Sequence, residues 1–260
     1  MDLTSSFEPI PLQELAARAS MMERVDNKYI VKLPTLEALL LHLRDDFAML
    51  EIGSTRNFTY ETCYFDGSDN QSYFDHLRGR RRRSKVRIRR YIDTELCFLE
   101  LKVKDKRGGT IKKRLPHDLA QYGMIDQPAM EYINSAYNET YGVAFPHELQ
   151  PTLVVGYQRM CLVSKSGGER LTIDGGIRFA TGSHTRQLKD DTFIIETKSA
   201  KGNGLADKIL RRVHQHPTTN CSKYCVGMSV MNAGLKHNTF RPALRKLVGD
   251  SAAQLGHLQY

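Results

Sequence analysis

Lys85-Val86-Arg87-Ile88-Arg89 decides the fold: in an extended chain Lys85, Arg87, Arg89 and the following Tyr91 point to one side, and Val86 and Ile88 to the other. Other short segments repeat the pattern. In residues 97–104, Phe98, Glu100, Lys102 and Lys104 oppose Leu99, Leu101 and Val103. In residues 110–115, Ile111 and Leu115 mark the oily face and Lys112 and Arg114 the other. The same parity groups Arg24, Asp26 and Lys28, then Tyr157 and Arg159, then Arg170, Thr172 and Asp174, then Glu196 and Lys198. One such strand suits a half-exposed sheet with its cations in water. Repetition along the chain, with amphipathic helices available to cover the oily faces, instead predicts an α+β fold. Its core is expected to be a closed antiparallel β-barrel with a charged interior and helices packed on the outside.

Around the quoted segment the strands follow in quick succession. Residues 58–66 read as a strand followed by a surface loop, and then 85–92, 97–104 and 110–116 are separated by short turns, including Arg107-Gly108-Gly109, which implies antiparallel hairpins. Residues 117–147 form a polar, partly helical connection. A second set of strands then spans 151–164, 169–180 and 191–200, with a turn at Lys165-Ser166-Gly167-Gly168. Helices are expected at 12–20, 36–47, 203–215 and 222–235, with a basic helical tail to Tyr260. Neither glycine pair leads into a helix, so both read as hairpin turns and not as phosphate loops. One domain over residues 1–260 is expected, with a core at about 15–235.

The chain has 260 residues and a net charge of +9, which favours anionic partners. No apolar run approaches the ~18 residues of a membrane span, and the N-terminus lacks a leader pattern, so a cytoplasmic protein is expected. Cys63, Cys97, Cys161, Cys221 and Cys225 are odd in number, and Cys221 and Cys225 have no matching second pair, so free thiols are expected in place of a zinc site. His76, His214 and His216 show no ligand spacing with acids and read as surface residues. Arg78-Gly79-Arg80-Arg81-Arg82-Arg83 invites a nucleic-acid reading, but it lacks interleaved aromatics for base stacking, and a solvated loop or a mouth that draws in polyanions is the reading adopted.

Burying so many like charges costs several kcal/mol per unpaired ion, so something anionic must offset them. A string of phosphates does so: arginine forks grip phosphate oxygens in bidentate fashion, and lysine acts as a mobile point charge. Arg24, Lys85, Lys112, Arg114, Arg170 and Lys198 are therefore candidate phosphate ligands. Carboxylates on the same face help only by holding a hard cation that bridges to phosphate, which nominates Glu196, Glu100 and Asp174. Two of them could equally be ion-pair partners, Glu196 of Lys198 and Asp174 of Arg170.

The strings ERVDNKYIV, YFD, KVRIRRY, FLELKVK, IKKRLP, GYQR, RLTID, IIETKS and SKYCVGM, in this order and spacing, resemble the VTC domain. That domain is the polyphosphate polymerase module of the vacuolar transporter chaperone complex, in the triphosphate tunnel metalloenzyme or CYTH-like group. The resemblance spans roughly residues 15–235 and includes bacterial stand-alone versions. It implies a metal-dependent enzyme, using Mn²⁺ or Mg²⁺, that transfers the γ-phosphoryl group of ATP to a polyphosphate or pyrophosphate acceptor. It places phosphate binding on Lys28, Arg87, Arg89 and Lys102 or Lys104, terminal-phosphate contacts on Tyr157 and Arg159, metal binding on Glu196, and the growing chain end on Lys223. Lys28, Arg87, Arg89, Arg159 and Lys223 are thus the expected catalytic set. The sequence departs from the pattern at Asn220, where a second lysine is expected. A triphosphatase or polyphosphate hydrolase, and a module that binds polyphosphate without turnover, are the alternatives. A membrane-protein partner at the inner face of a membrane fits the resemblance; sequence-specific nucleic-acid binding does not.

Overall fold

The alternating segments are strands, and all described strands join one sheet. The computed structural model describes residues 3–18, 25–105 and 108–249. In chain order these form β1 (Glu8–Ile10), α1 (Leu12–Arg18), β2 (Val25–Lys32), α2 (Leu33–Leu43), β3 (Phe47–Leu50), β4 (Phe58–Asp66), α3 (Gln71–Leu77), β5 (Ser84–Tyr91), β6 (Leu96–Lys104), β7 (Thr110–Pro116) and α4 (Gln127–Tyr141). They continue with β8 (Gln150–Ser164), β9 (Glu169–Thr181), β10 (His184–Gln187), β11 (Thr192–Ser199), α5 (Leu205–Arg212), α6 (Lys223–Met231) and α7 (Arg241–Val248). The short β1, β3 and β10 and helix α3 are additions to the sequence reading. Phe47, expected at the end of a helix, instead starts β3. The turn at 107–109 and the tail beyond Gly249 lie partly or wholly outside the described residues.

The main path runs β2, β11, β9, β8, β4, β5, β6, β7, and every neighbouring pair on it is antiparallel. Strands β2 and β7 stand at its ends, and among the described residues no ladder joins them, which corrects the expected closed barrel to a strongly curved open sheet. The charge pattern explains the open seam. Closure would set Lys28 beside the inward Lys112 and Arg114, and β7 carries no carboxylate to separate them. Curvature comes partly from a register shift between β8 and β9 at Gly156/Gln158, where Gly176 adopts φ +58°, a conformation that glycine enters without a steric penalty.

On the convex face the oily side chains are covered as expected. Leu36, Leu39, Leu40 and Leu43 of α2, with Ile209 and Leu210 of α5, bury Tyr29, Val31, Ile173 and Ile195. Ala129, Ile133 and Ala136 of α4 pack on Ile88, Leu99, Leu101 and Val103. Helix α4 starts where Asp126 accepts from the Ala129 N–H and ends at Gly142 with φ +72°. Helices α6 and α7 correct the expectation that all helices lie outside. Residues Tyr224 to Val230 of α6 are all buried, and a helix with no polar face must be enclosed on every side. It sits on the concave face: Tyr224 packs against Tyr64 at 5.2 Å between ring centroids, and Gly227 approaches so closely that a Cβ there would lie 2.6 Å from Leu153 and Phe179. Phe240, Leu244 and Leu247 join the same cluster as Ile30 and Ile194, so the C-terminal helices fill the apolar end of the concavity.

One buried carboxylate seats this helix. Asp66, at the end of β4, accepts the N–H groups of Gly67 in the turn and of Ser72 and Tyr73 in the first turn of α3, and the hydroxyl of Tyr224 on α6. All five cysteines are buried free thiols. His76, read from sequence as a surface residue, is half-buried beside Lys85; burial and that ammonium push its pKa down to about 2, so it is neutral. No helix of the described residues is long and apolar enough to cross a membrane.

Candidate functional site

The concave face is built from the basic side of the alternation, and its cations gather around three carboxylates. Glu100 of β6 is fully buried opposite Arg87. Arg87 donates to it through Nε at 2.6 Å, Arg89 lies at 3.8 Å, and Lys112 of β7 completes the group. Burial opposes the charge on Glu100, but these three cations hold its carboxyl far below the usual range. Asp174 of β9, equally buried, receives Arg159 in bidentate fashion at 2.5 and 2.7 Å and the ammonium of Lys223 from the first turn of α6. Arg159 and Lys223 outweigh burial and hold Asp174 at about 2. The ion-pair partner of Asp174 is thus Arg159, not Arg170. Glu196 of β11 lies opposite Lys28 and contacts Lys198, whose ammonium also stands 3.3 Å from Asp26. Lys28 and Lys198 hold Glu196 well below the usual carboxylate range against burial, and Glu196 in turn raises Lys28.

Curvature brings distant strands face to face. Lys102 of β6 feels Glu196 of β11, and Lys85 of β5 feels Lys28 of β2. The carboxylates do not match the cations gathered here. Arg87 and then burial push Lys102 well down, and burial pushes down Lys85, Lys104 and Lys112. The ammonium of Lys104, at the rim, donates to the Gly108 carbonyl at 2.8 Å. Buried donors are also left over: among the described residues Tyr157 Oη, Arg170 Nε and Thr172 Oγ1 have no hydrogen-bond partner. Arg170 otherwise reaches only the thiol of Cys161, at 3.9 Å.

An aromatic floor beneath these cations was not evident in the sequence. Arg87 lies over Tyr64 at 5.8 Å, Arg159 over Tyr60 and Tyr157 at 5.3 and 5.2 Å, Lys223 over Tyr157 at 4.6 Å, and Arg114 over Phe98 at 4.7 Å. Tyr64 also accepts from Arg87 at 3.1 Å; burial raises its phenol, but Arg87 and Arg89 outweigh it and the net shift is downward. Thr62 accepts from Arg89 Nε at 3.1 Å. The residue parity of β4 (Tyr60, Thr62, Tyr64) was the available signal, masked because that strand carries no cation.

The structure therefore assembles Lys28, Lys85, Arg87, Arg89, Lys102, Lys112, Arg114, Tyr157, Arg159, Arg170, Lys198 and Lys223 on one concave surface, with Lys104 at its edge. Arg24 lies outside the described residues. Asn220 is exposed at φ +54°, in the turn before α6; asparagine tolerates this left-handed conformation better than most residues, lysine included. Among the described residues no group of three His, Cys, Asp or Glu comes together to hold a metal alone. Glu100 and Asp174 are each in direct contact with two or more cations, whereas Glu196 makes one direct ion pair, with Lys198, and feels Lys28, Arg159 and Lys102 at longer range; of the three it best fits the arrangement in which one carboxylate and substrate phosphates share a hard cation.

The site is thus a curved antiparallel sheet whose concave face gathers cations in excess of carboxylates. The chain belongs to the VTC domain family, whose model matches residues 23–232. No protein of curated function matches it by sequence. Among solved structures it is similar to a proposed adenylyl cyclase from Hippeastrum described as having a dominant triphosphatase activity, with 19% identity, 80% of this chain and 96% of that chain covered, and a TM-score of 0.45. It is also similar to a proposed adenylate cyclase from Bacillus halodurans, with 14% identity, coverage of 76% and 94%, and a TM-score of 0.43.

Proposed function

We propose that this chain, acting as one unit, is a metal-dependent polyphosphate polymerase that transfers the γ-phosphoryl group of ATP to an inorganic polyphosphate or pyrophosphate acceptor. The observation that carries the reading is the excess of cations on the concave face: Lys85 and Lys102 are half-buried there without a carboxylate in ion-pair contact among the described residues, and burial and neighbouring cations push both ammonium groups down. Such a surface lacks an anion of high charge density, and linear phosphate supplies it. The unpartnered Tyr157, Arg170 and Thr172 donors have the chemistry to bond its oxygens.

The residues' work is alignment and neutralisation. Arg87, Arg89 and Arg159 would clamp donor and acceptor in line, with Lys28, Lys102 and Lys223 spreading positive charge over the transferring group. The acceptor phosphate attacks directly, so no side-chain nucleophile is needed. Glu196 would hold Mn²⁺ or Mg²⁺ together with phosphate oxygens, and when bound that ion supplies further neutralisation of the phosphoryl charge. Incubation of the purified chain with ATP and Mn²⁺, with and without a short polyphosphate primer, tests the reading: a ladder of long chains with ADP supports it. Free phosphate alone would establish the hydrolase alternative, for which the same site would serve with water as the attacking group.

Two expected results follow from the electrostatics. Glu196→Gln lowers metal-dependent turnover by roughly 10²–10³-fold while tripolyphosphate binding survives, because the substitution removes a carboxylate from a cationic surface; parallel loss of both activities would remove Glu196 from the metal role. Tripolyphosphate also raises the depressed lysines toward their ordinary value of 10.5, so at alkaline pH below that value, where tripolyphosphate itself is fully ionised, its binding takes up protons. Calorimetry in buffers of differing ionisation enthalpy reads the uptake directly, and proton release in that window would contradict the depressed lysines.

A further inference from the structure

We propose that the arginine run Arg78–Arg83 is a second contact for linear polyphosphate, outside the concave face and continuous with it, that grips the part of a long chain the inner site cannot hold. The inference rests on the reading that the inner site binds phosphate chains. The run lies between α3 and β5 and contains no acid. Its backbone is fixed: the Arg80 N–H donates to the Asp75 carbonyl at 2.9 Å, and the Arg83 carbonyl accepts from Tyr141 Oη and the Lys104 N–H, each at 3.3 Å. Arg78, Arg80, Arg81 and Arg82 are exposed, and the nearby acid, Asp75, which accepts from Gln71 at 2.8 Å, is a single charge shared between Arg78 and Arg80.

Continuity with the inner site is visible at Arg83, whose charge helps depress both Lys85 and Lys104. The segment after α6 packs on the helix that carries the run: the Lys236 carbonyl accepts from Tyr73 Oη at 2.9 Å, and Thr239 donates to the Leu77 carbonyl at the end of α3. A row of anchored, exposed guanidinium groups leading from the rim suits an extended, repeating anion. On this inference tripolyphosphate is held by the inner face, and a longer chain reaches the exposed arginines as well. Base-stacking aromatics are absent from the run, which favours inorganic phosphate chains over nucleic acid.

The test compares tripolyphosphate with long-chain polyphosphate on the full chain and on a variant carrying Arg78→Ala, Arg80→Ala and Arg82→Ala, across a salt series. The variant is expected to bind tripolyphosphate as before and long chains roughly tenfold more weakly, with the slope of log K against log salt smaller by about 2, from three contacts at about 0.7 each. Lysines at the same three positions should restore most of the slope. Unchanged long-chain binding, or equal weakening for both probes, overturns the inference while leaving the inner site standing. Tighter binding of an oligonucleotide than of polyphosphate of equal charge would reassign the loop to nucleic acid and overturn it. Failure of tripolyphosphate to bind the unmodified chain overturns the inner-site reading, and this inference with it.

Discussion

Glu100→Ala is expected to lower the unfolding free energy by about 3–5 kcal/mol, because it leaves Arg87, Arg89 and Lys112 crowded in a buried space with no counter-charge. At about 2–4 °C per kcal/mol for a chain of this size, the melting temperature should fall by roughly 6–20 °C. The sign with pH is fixed by the direction of the shift. The Glu100 carboxyl lies below its unfolded value of 4.5, so its contribution is fully present above that value and is lost as pH falls through the folded-state range. The stability gap between the two proteins should therefore be widest near neutrality and narrow in acid. Tripolyphosphate should stabilise the variant more than the unmodified chain, since it brings the missing negative charge. Urea titrations at several pH values, with and without that anion, decide the matter; an equal response of both proteins to tripolyphosphate would mean that Glu100 is not neutralising the site.

Arg159→Ala is expected to reduce phosphoryl transfer by roughly 10²–10³-fold, the usual cost of deleting one preorganised charge from a transition-state site. Two properties mark this residue among the inner cations. Its fork is already oriented by both oxygens of Asp174, and its plane is held against the Tyr60 and Tyr157 rings. Arg159→Lys keeps the charge but cannot reproduce that bidentate, stacked geometry, so only a small part of the rate should return. Steady-state measurement with varied ATP separates kcat from KM. A change confined to KM would assign Arg159 to ground-state binding and remove it from the transferring step.

Much of this architecture is legible in the alternation alone. The parity of Val86, Ile88, Leu99, Leu101 and Val103 correctly assigns both faces of β5 and β6, because one buried face fixes strand orientation. The clustering of Arg87, Arg159 and Glu196 in one concavity also follows from parity, once all the strands join one sheet. Closure does not, since it depends on whether β2 and β7 can pair, and no local pattern encodes the repulsion across that seam. The inner position of α6 was available in principle from SKYCVGMSVM, which has no polar stripe, but its basic surroundings suggested an outer tail. The short β1 and β3 are formed by long-range pairing with each other and with β8, and three or four residues carry no period of their own. The pairing of Asp174 with Arg159, in place of the same-strand Arg170, is likewise a property of register between β8 and β9.

Asp66 fastens both the start of α3 and the hydroxyl of Tyr224, next to Lys223. The arginine run hangs from the far end of α3, and Lys223 projects from the first turn of α6, so one buried carboxylate at the end of β4 ties both to the same point of the sheet. The spacing between the outer and inner grips is consequently a fixed gauge: it sets how many phosphate units lie between them, and hence the shortest polymer able to span the two.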